Sequence, residues 1–389
     1  MTLAFFIYSY FPYGGQQRDF LRVAQACVTR GHRVLVYTLK WQGDIPPGLE
    51  VELLTVKAWS RHVLYQRFTQ QVQQRLRERQ VDLRIGFNKM PGLDVYFAAD
   101  PCFAERAAKQ RAFYYRFTPR YRHFLRYEEA VFGAASNTQI LLLSPMQREQ
   151  FSRHYPGCEA RCSDIPPGIA RDRQPPANAA AIRQQFRSEM GLAADELAIV
   201  QIGSGFVIKG LDRSLRAIAS VPEALRKKLR YFVVGQDKPQ RFQRLAARLG
   251  VAPQCQFLGG RDDVPRFLLG CDVLLHPAYS ESAGYVLLEA TIAGLPVVTT
   301  ATCGYAFHIE RAGSGIVCAN PFQQAELNAH LLSMLDGDSR AQYSANGIAY
   351  GRQQDLYSMP ETVAGLIEGF ASKTPTQLSS EPTALGVSP

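Results

Sequence analysis

Short apolar runs suited to strands alternate along this chain with longer stretches in which apolar residues recur at three- and four-residue steps. Ala4 to Tyr8 is the first predicted strand. A helix follows from Gln17 to Thr29, with Phe20, Val23, Ala24 and Cys27 on one face. Strands are predicted next at Val34 to Thr38 and Glu52 to Val56, and a long Arg- and Gln-rich helix at Val63 to Arg79. Leu83 to Phe87, Val95 to Ala99 and Ile140 to Ser144 read as further strands. The pattern pauses at Pro166-Pro167-Gly168, and the polar, Ala- and Pro-rich stretch Asp172 to Ala181 reads as a linker. Alternation then restarts with strands at Ala198 to Ile202, Tyr231 to Gly235, Gln256 to Gly259, Asp272 to His276, Val297 to Thr300 and Ile316 to Cys318.

This rhythm predicts an α/β chain of two doubly wound, Rossmann-like domains facing each other across a cleft, with ligands at the carboxyl ends of the strands. The boundaries expected are 1–168 and 169–355. A helix within 356–373 is expected to pack back on the first domain, and 374–389 to be disordered. A length of 389 residues agrees, being too long for one ordinary core.

The stretch around which the second half is organised is Leu274 to Val298. A strand ends at Pro277, a small-residue loop leads into a helix from about Tyr285 to Ile292, and Gly294-Leu295-Pro296 leads into the next strand. Glu281 and Glu289 bracket the loop-to-helix junction. A helix N-terminus offers free N–H groups to a phosphate, while carboxylates accept hydrogen bonds from sugar hydroxyls. Together they suggest a nucleotide sugar, against the plainer reading of an ordinary βα unit with two solvated carboxylates.

Two further loops sit at first-strand positions. Gly14-Gly15, followed by Arg18 and Asp19, opens onto the first helix and lets backbone approach a ligand. It lacks the G-x-G-x-x-G pattern and a closing acidic residue, so NAD binding is rejected. Gly203-Ser204-Gly205-Phe206 through Lys209-Gly210 occupies the equivalent place in the second half. It is not a P-loop, but a lysine at a helix start calls for an anionic partner. Arg173 and Arg213 are further cation candidates, Gly259-Gly260-Arg261 a loop whose backbone could meet a base, and Asp100 a carboxylate aimed at the cleft or a simple turn cap.

The chain is basic, with 44 Lys and Arg against 34 Asp and Glu. Much of the excess lies in 103–132, where nine aromatics and seven Arg or Lys stand against three glutamates. Pro119 is expected to start a helix capped by Thr118. Around this point Phe117, Tyr121 and Phe124 fall on one helical face with Arg116, Arg120 and His123 beside them, and Arg122 and Arg126 add to the charge. Such a mixture suits an anionic membrane surface, with nucleic acid or a core aromatic stripe as competing readings. No run is long enough to span a bilayer, and the N-terminus reads as a buried strand rather than a signal peptide. The eight cysteines are scattered, and neither a DxD motif nor a His/carboxylate cluster is visible, so no metal is expected.

With these residues in view the chain resembles the retaining glycosyltransferases of family four, which have the GT-B fold. Within them it resembles the lipopolysaccharide core heptosyl glucosyltransferases of Gram-negative bacteria. Glu281, Glu289, the Gly14-Gly15 loop and Lys209 carry the family pattern. FPYGGQQRDF, GFNKMPGLDVYFAAD, PPGI with Arg173, GQDKP and LLHPAY carry the subgroup's, over residues 1–372.

The resemblance implies a UDP-sugar donor, most simply UDP-glucose, and an inner-core heptose of lipid-anchored lipopolysaccharide as acceptor. It places the enzyme on the cytoplasmic face of the inner membrane, with 103–132 as the membrane-interacting segment. It implies that Glu281 contacts the hexose and Glu289 the ribose. Gly15 and the backbone of Ala283, Gly284, Tyr285 and Val286 would hold diphosphate and sugar, and Lys209 and Arg173 would balance phosphate charge. Arg261 would lie at the donor, and Asp19 and Asp100 near hexose and acceptor. The subgroup can carry an Arg-Lys pair before the glycine, whereas here Ile208 precedes Lys209, so one phosphate contact is missing or comes from elsewhere. A UDP-N-acetylhexosamine transferase, a UDP-sugar epimerase and a non-enzymatic nucleic-acid-binding protein are the alternatives. Of these, the nucleic-acid reading leaves both glycine loops and both glutamates idle.

Overall fold

The computed structural model describes residues 1–12, 14–110 and 113–373; the predicted tail, 374–389, lies outside them. Two fully parallel sheets organise the chain. The first contains β1 (Thr2–Phe6), β2 (Arg33–Thr38), β3 (Leu49–Leu53), β4 (Leu83–Gly86), β5 (Val95–Phe97), β6 (Gln139–Leu142) and β7 (Cys162–Asp164), in the order β3-β2-β1-β4-β5-β6-β7. The second contains β8 (Leu197–Ile202), β9 (Leu229–Val234), β10 (Cys255–Gly259), β11 (Val273–His276), β12 (Val297–Thr300) and β13 (Gly315–Cys318), in the order β10-β9-β8-β11-β12-β13. Strand order reverses at β1 and at β8, so each sheet has its switch point at the strand that precedes a glycine loop.

Central strands are apolar on both faces because helices cover both. Leu3 and Phe5 of β1 join one cluster with Phe20, Val23 and Ala24, and Ala4 and Phe6 join another with Phe68 and Val72. The second sheet is buried in the same two-sided way, with Ile199 on one face and Ala198 and Val200 on the other. The helix Met359–Lys373 returns to the first unit. Its Val363, Ala364 and Ile367 are buried in the cluster that holds Phe20, and Glu368 accepts from Arg30 at 2.8 and 3.0 Å.

Two elements depart from the sequence pattern. The strand predicted at Glu52 to Val56 lies at Leu49–Leu53, because an edge strand buries little; within it only Leu49 is fully buried. The helix Ala179–Glu189 starts inside the predicted linker. It buries only Phe186, which packs on Phe267 at 4.9 Å between ring centres. One buried side chain in eleven residues leaves no periodicity to read.

Candidate active site

The loop after β8 places Lys209 by its backbone. Gln201 donates to the Lys209 carbonyl at 2.8 Å and is fixed by the hydroxyls of Ser214 at 2.7 Å and Tyr231 at 2.5 Å. Gly210 follows at φ +71°, and a Cβ there would stand 2.0 Å from the Pro277 carbonyl oxygen, so only glycine lets this loop meet the end of β11. The Lys209 ammonium consequently reaches Glu281, to which it donates.

Glu281 also bonds His276 Nε2 at 2.7 Å. Burial pushes this carboxyl up, but Lys209 and then His276 more than offset it and hold it at about 2. Glu281 is therefore an acceptor of hydrogen bonds at any ordinary pH, and not an acid. The chain then turns through Gly284, at φ +98°, into the helix Tyr285–Ala293, and no side chain caps that N-terminus. Ala283 is buried, and Tyr285 and Val286 in the first turn are half-buried.

On the same helix the side chain of Glu289 is nearly buried and meets two guanidinium groups. Arg18 Nη1, from the first unit, lies 3.2 Å from it, and Arg173 Nε 3.6 Å. Arg173 Nε is itself buried with no hydrogen-bond acceptor among the described residues. One turn towards the N-terminus, the Tyr285 hydroxyl donates to Asp19 at 2.5 Å, and the Tyr285 ring passes 3.6 Å from where a Cβ on Gly15 would stand. Burial raises the Asp19 carboxyl to about 7 against the opposing pull of Tyr285, Arg18 and Arg22.

The structure thus gathers Gly15, Asp19, Arg173, Lys209, Glu281, Gly284, Tyr285 and Glu289 where the first helix of one unit meets the loop and helix after β11 of the other. Two expected members are held by partners within their own units. Asp100 accepts from Asn88 at 3.3 Å within the first unit. Arg261 is exposed and forks onto Asp263 at 2.7 and 2.8 Å. Arg213 lies between the rings of Tyr279 and Phe322, at 3.6 and 3.7 Å, and donates to the carbonyls of Pro277 and Ala278, so it braces the loop.

The sequence reading overlooked Arg18 and His276. Arg18 carried a signal, standing next to Asp19 at the start of the first helix. The structure also brings His276, Glu281 and Cys303 together, with ligand atoms within 4.8 Å of one another, a cluster hidden by its spacing along the chain. The Lys209 ammonium already sits on that carboxylate and supplies the positive charge an ion would bring.

The segment 103–132 forms the helix Phe103–Gln110, a tight turn Phe113–Phe117 and the helix Pro119–Phe132, whose cap Thr118 accepts from Tyr121 N at 3.2 Å. Its aromatics divide. Phe103, Tyr127 and Phe132 are core, whereas Phe113, Tyr114 and Phe117 are 70%, 75% and 67% exposed. Tyr121 and Phe124 are half-buried, and Arg116, Arg120, Arg122 and Arg126 line the outer side.

The glutamates of this segment divide too. Glu128 is fully buried and accepts from Lys89, from Tyr155 at 3.0 Å and from the backbone of Phe103 and Ala104 at 2.6 and 2.9 Å. Glu105 is held by Lys109, Arg153 and His154. Two of three carboxylates point inwards, so the outer face is more basic than composition implies. Arg161 closes the far end, donating to the carbonyls of Val131, Phe132, Gly133 and Thr138. Beside the segment Trp59 stands 82% exposed, its ring 5.7 Å from that of His62, which in turn lies 6.0 Å from His123. No helix among the described residues is long and apolar enough to cross a membrane.

Residues 182–353 match the family model described as glycosyl transferases group 1. Over 370 residues the chain is 45% identical to the lipopolysaccharide glucosyltransferase WaaG of Escherichia coli K12, covering 95% of this chain and 99% of that protein. The crystal structure of WaaG, a glycosyltransferase involved in lipopolysaccharide biosynthesis, superposes with a TM-score of 0.90 over 94% of this chain and 100% of that one. Anabaena Alr3699/HepE in complex with UDP-glucose matches at a TM-score of 0.73 and 19% identity, over 95% of this chain and 100% of that one, a likeness of fold alone.

Proposed function

The chain belongs to the group 1 glycosyl transferases, and from that premise we propose that it transfers glucose from UDP-glucose to an inner-core heptose of lipopolysaccharide. In this reading it works with retention, as in family four, at the cytoplasmic face of the inner membrane. The observation that carries the reading is the placement of two carboxylates, each held by its own cations, on either side of an uncapped helix N-terminus.

In the ligand-free site Lys209 rests on Glu281, and Arg18 and Arg173 on Glu289. A UDP-sugar offers these groups better-matched partners. The three cations turn to the diphosphate, Glu289 is freed to accept from the ribose hydroxyls, and Glu281 from the hexose. Arg18 supplies the charge on phosphate that Ile208, being apolar, does not. As the sugar–phosphate bond breaks, negative charge grows on the departing phosphate, and Lys209, Arg173, Arg18 and the helix N-terminus stabilise it without a metal. Glu281, its carboxyl held at about 2, stays ionised and orients the sugar. The acceptor hydroxyl attacks from the face the phosphate leaves, and that phosphate takes its proton.

The outward arginines and exposed aromatics of 103–132 support the membrane placement. Transfer of radiolabelled glucose from UDP-glucose to core lipopolysaccharide truncated after heptose tests the whole reading. UDP-N-acetylglucosamine should be inert there. Turnover of the UDP-sugar into its epimer without acceptor, or transfer from another donor only, would overturn it.

A further inference from the structure

Between the helices Phe103–Gln110 and Pro119–Phe132 lies a pocket of about 60 Å3 lined by Phe103, Arg106, Ala107, Tyr115, Arg120 and Phe124. That is several times the ~10–15 Å3 one water needs, and too little for a hexose. Arg106 and Arg120 line it beside the aromatic rings, the Arg120 guanidinium lying 5.8 Å from the Phe124 ring centre. Among the described residues no carboxylate approaches within 4 Å of either arginine. The segment's own Glu105 and Glu128 are taken up beneath by Lys109, Arg153 and Lys89. Arg106 also acts at a distance on Asp100, which is hydrogen-bonded to Asn88.

We propose that this pocket is a headgroup site, holding a single phosphate of an anionic phospholipid between Arg106 and Arg120. The proposal rests on the membrane placement above and deepens it, from a charged surface to a built receptor for one phosphate. Paired guanidinium forks match a tetrahedral oxyanion bidentately, which a diffuse lysine-rich surface does not. The aromatic lining excludes water and strengthens the pairing. Phe113, Tyr114 and Phe117, exposed beside the pocket, are placed to meet the glycerol and upper acyl region once the phosphate is seated.

A charge-conserving comparison tests it. Arg106→Lys/Arg120→Lys keeps every charge but removes the forks in the pocket, and Arg122→Lys/Arg126→Lys makes the same change outside it. Partition of the full chain onto phosphatidylglycerol–phosphatidylcholine vesicles should fall about tenfold for the first pair and stay at the wild-type value for the second. The unfolding temperature should be unchanged for both. Wild-type partition by the pocket pair, or equal loss by both pairs, overturns the headgroup site while leaving membrane attachment standing. Failure of the wild type to bind any anionic vesicle overturns the membrane placement and the site together. Saturable binding of glycerol 3-phosphate without vesicle binding would reassign the pocket to a soluble phosphate ester and overturn the lipid source.

Discussion

The Tyr285 hydroxyl donates to Asp19 at 2.5 Å, joining the helix that follows β11 to the helix that follows β1. The carboxyl it meets is raised from 3.8 to about 7, burial outweighing the hydrogen bond and both arginines. Between those two values the folded chain keeps a proton that the unfolded chain has lost. Stability therefore falls as pH rises through this window and levels off above it. Asp19→Asn removes that dependence, so the variant should gain on the wild type from about pH 4 to about pH 7, by at most ~4 kcal/mol. Urea midpoints across the range read the difference. A gap independent of pH would contradict the buried-acid account.

Glu289 and Glu281 have separable tasks. Glu289→Ala should weaken binding of UDP itself about tenfold, since the ribose hydroxyls are left without their acceptor. Glu281→Ala should leave UDP affinity near the wild-type value and abolish transfer. Titration calorimetry with UDP, set beside turnover, decides the matter, and the reverse pattern would refute the assignment.

Lys209 and Glu281 form a half-buried pair, with His276 as third member. Lys209→Met leaves a buried carboxylate with one partner and should destabilise by ~1–3 kcal/mol. The pair's contribution is present above the unfolded carboxyl value of 4.5 and is lost as pH falls through about 2, so the penalty should fade in acid. Lys209→Met/Glu281→Gln should recover most of the stability and none of the activity. Additive losses in the double variant would show that the pair is not coupled.

The two tryptophans make a built-in probe of the surface. Trp41 stacks on Tyr10 with ring centres 4.0 Å apart, while Trp59 is open to solvent next to the basic segment. Anionic vesicles should move the emission of the wild type to shorter wavelength, and about 0.5 M salt should reverse the change. Trp59→Phe should abolish it. A wild-type spectrum indifferent to vesicles would place Trp59 away from the lipid surface.

The alternating pattern made both sheets legible, because buried parallel strands read as near-continuous apolar runs between helices. The site's loops were legible as well, since Gly14-Gly15, Gly203 to Lys209 and Glu281 to Glu289 each follow a strand and stay local in sequence. The contacts that join them were not. Arg18 and Glu289 are 271 residues apart, and nothing in either stretch specifies the other. Composition likewise counted Glu105 and Glu128 against the charge of 103–132, because it carries no information on which way a side chain points. The same blindness hid Trp59, which reaches that surface from a different element.

The four carbonyls gripped by Arg161 give the basic segment a consequence beyond adhesion. With Glu128 fixing the start of one helix and Arg161 holding the end of the next, both outer ends of the segment are tied to the first unit. In the proposed membrane placement, a segment tied at both ends would set the height of the cleft above the bilayer. The proposed enzyme would then act as a depth gauge, favouring acceptors whose sugar stands at that height.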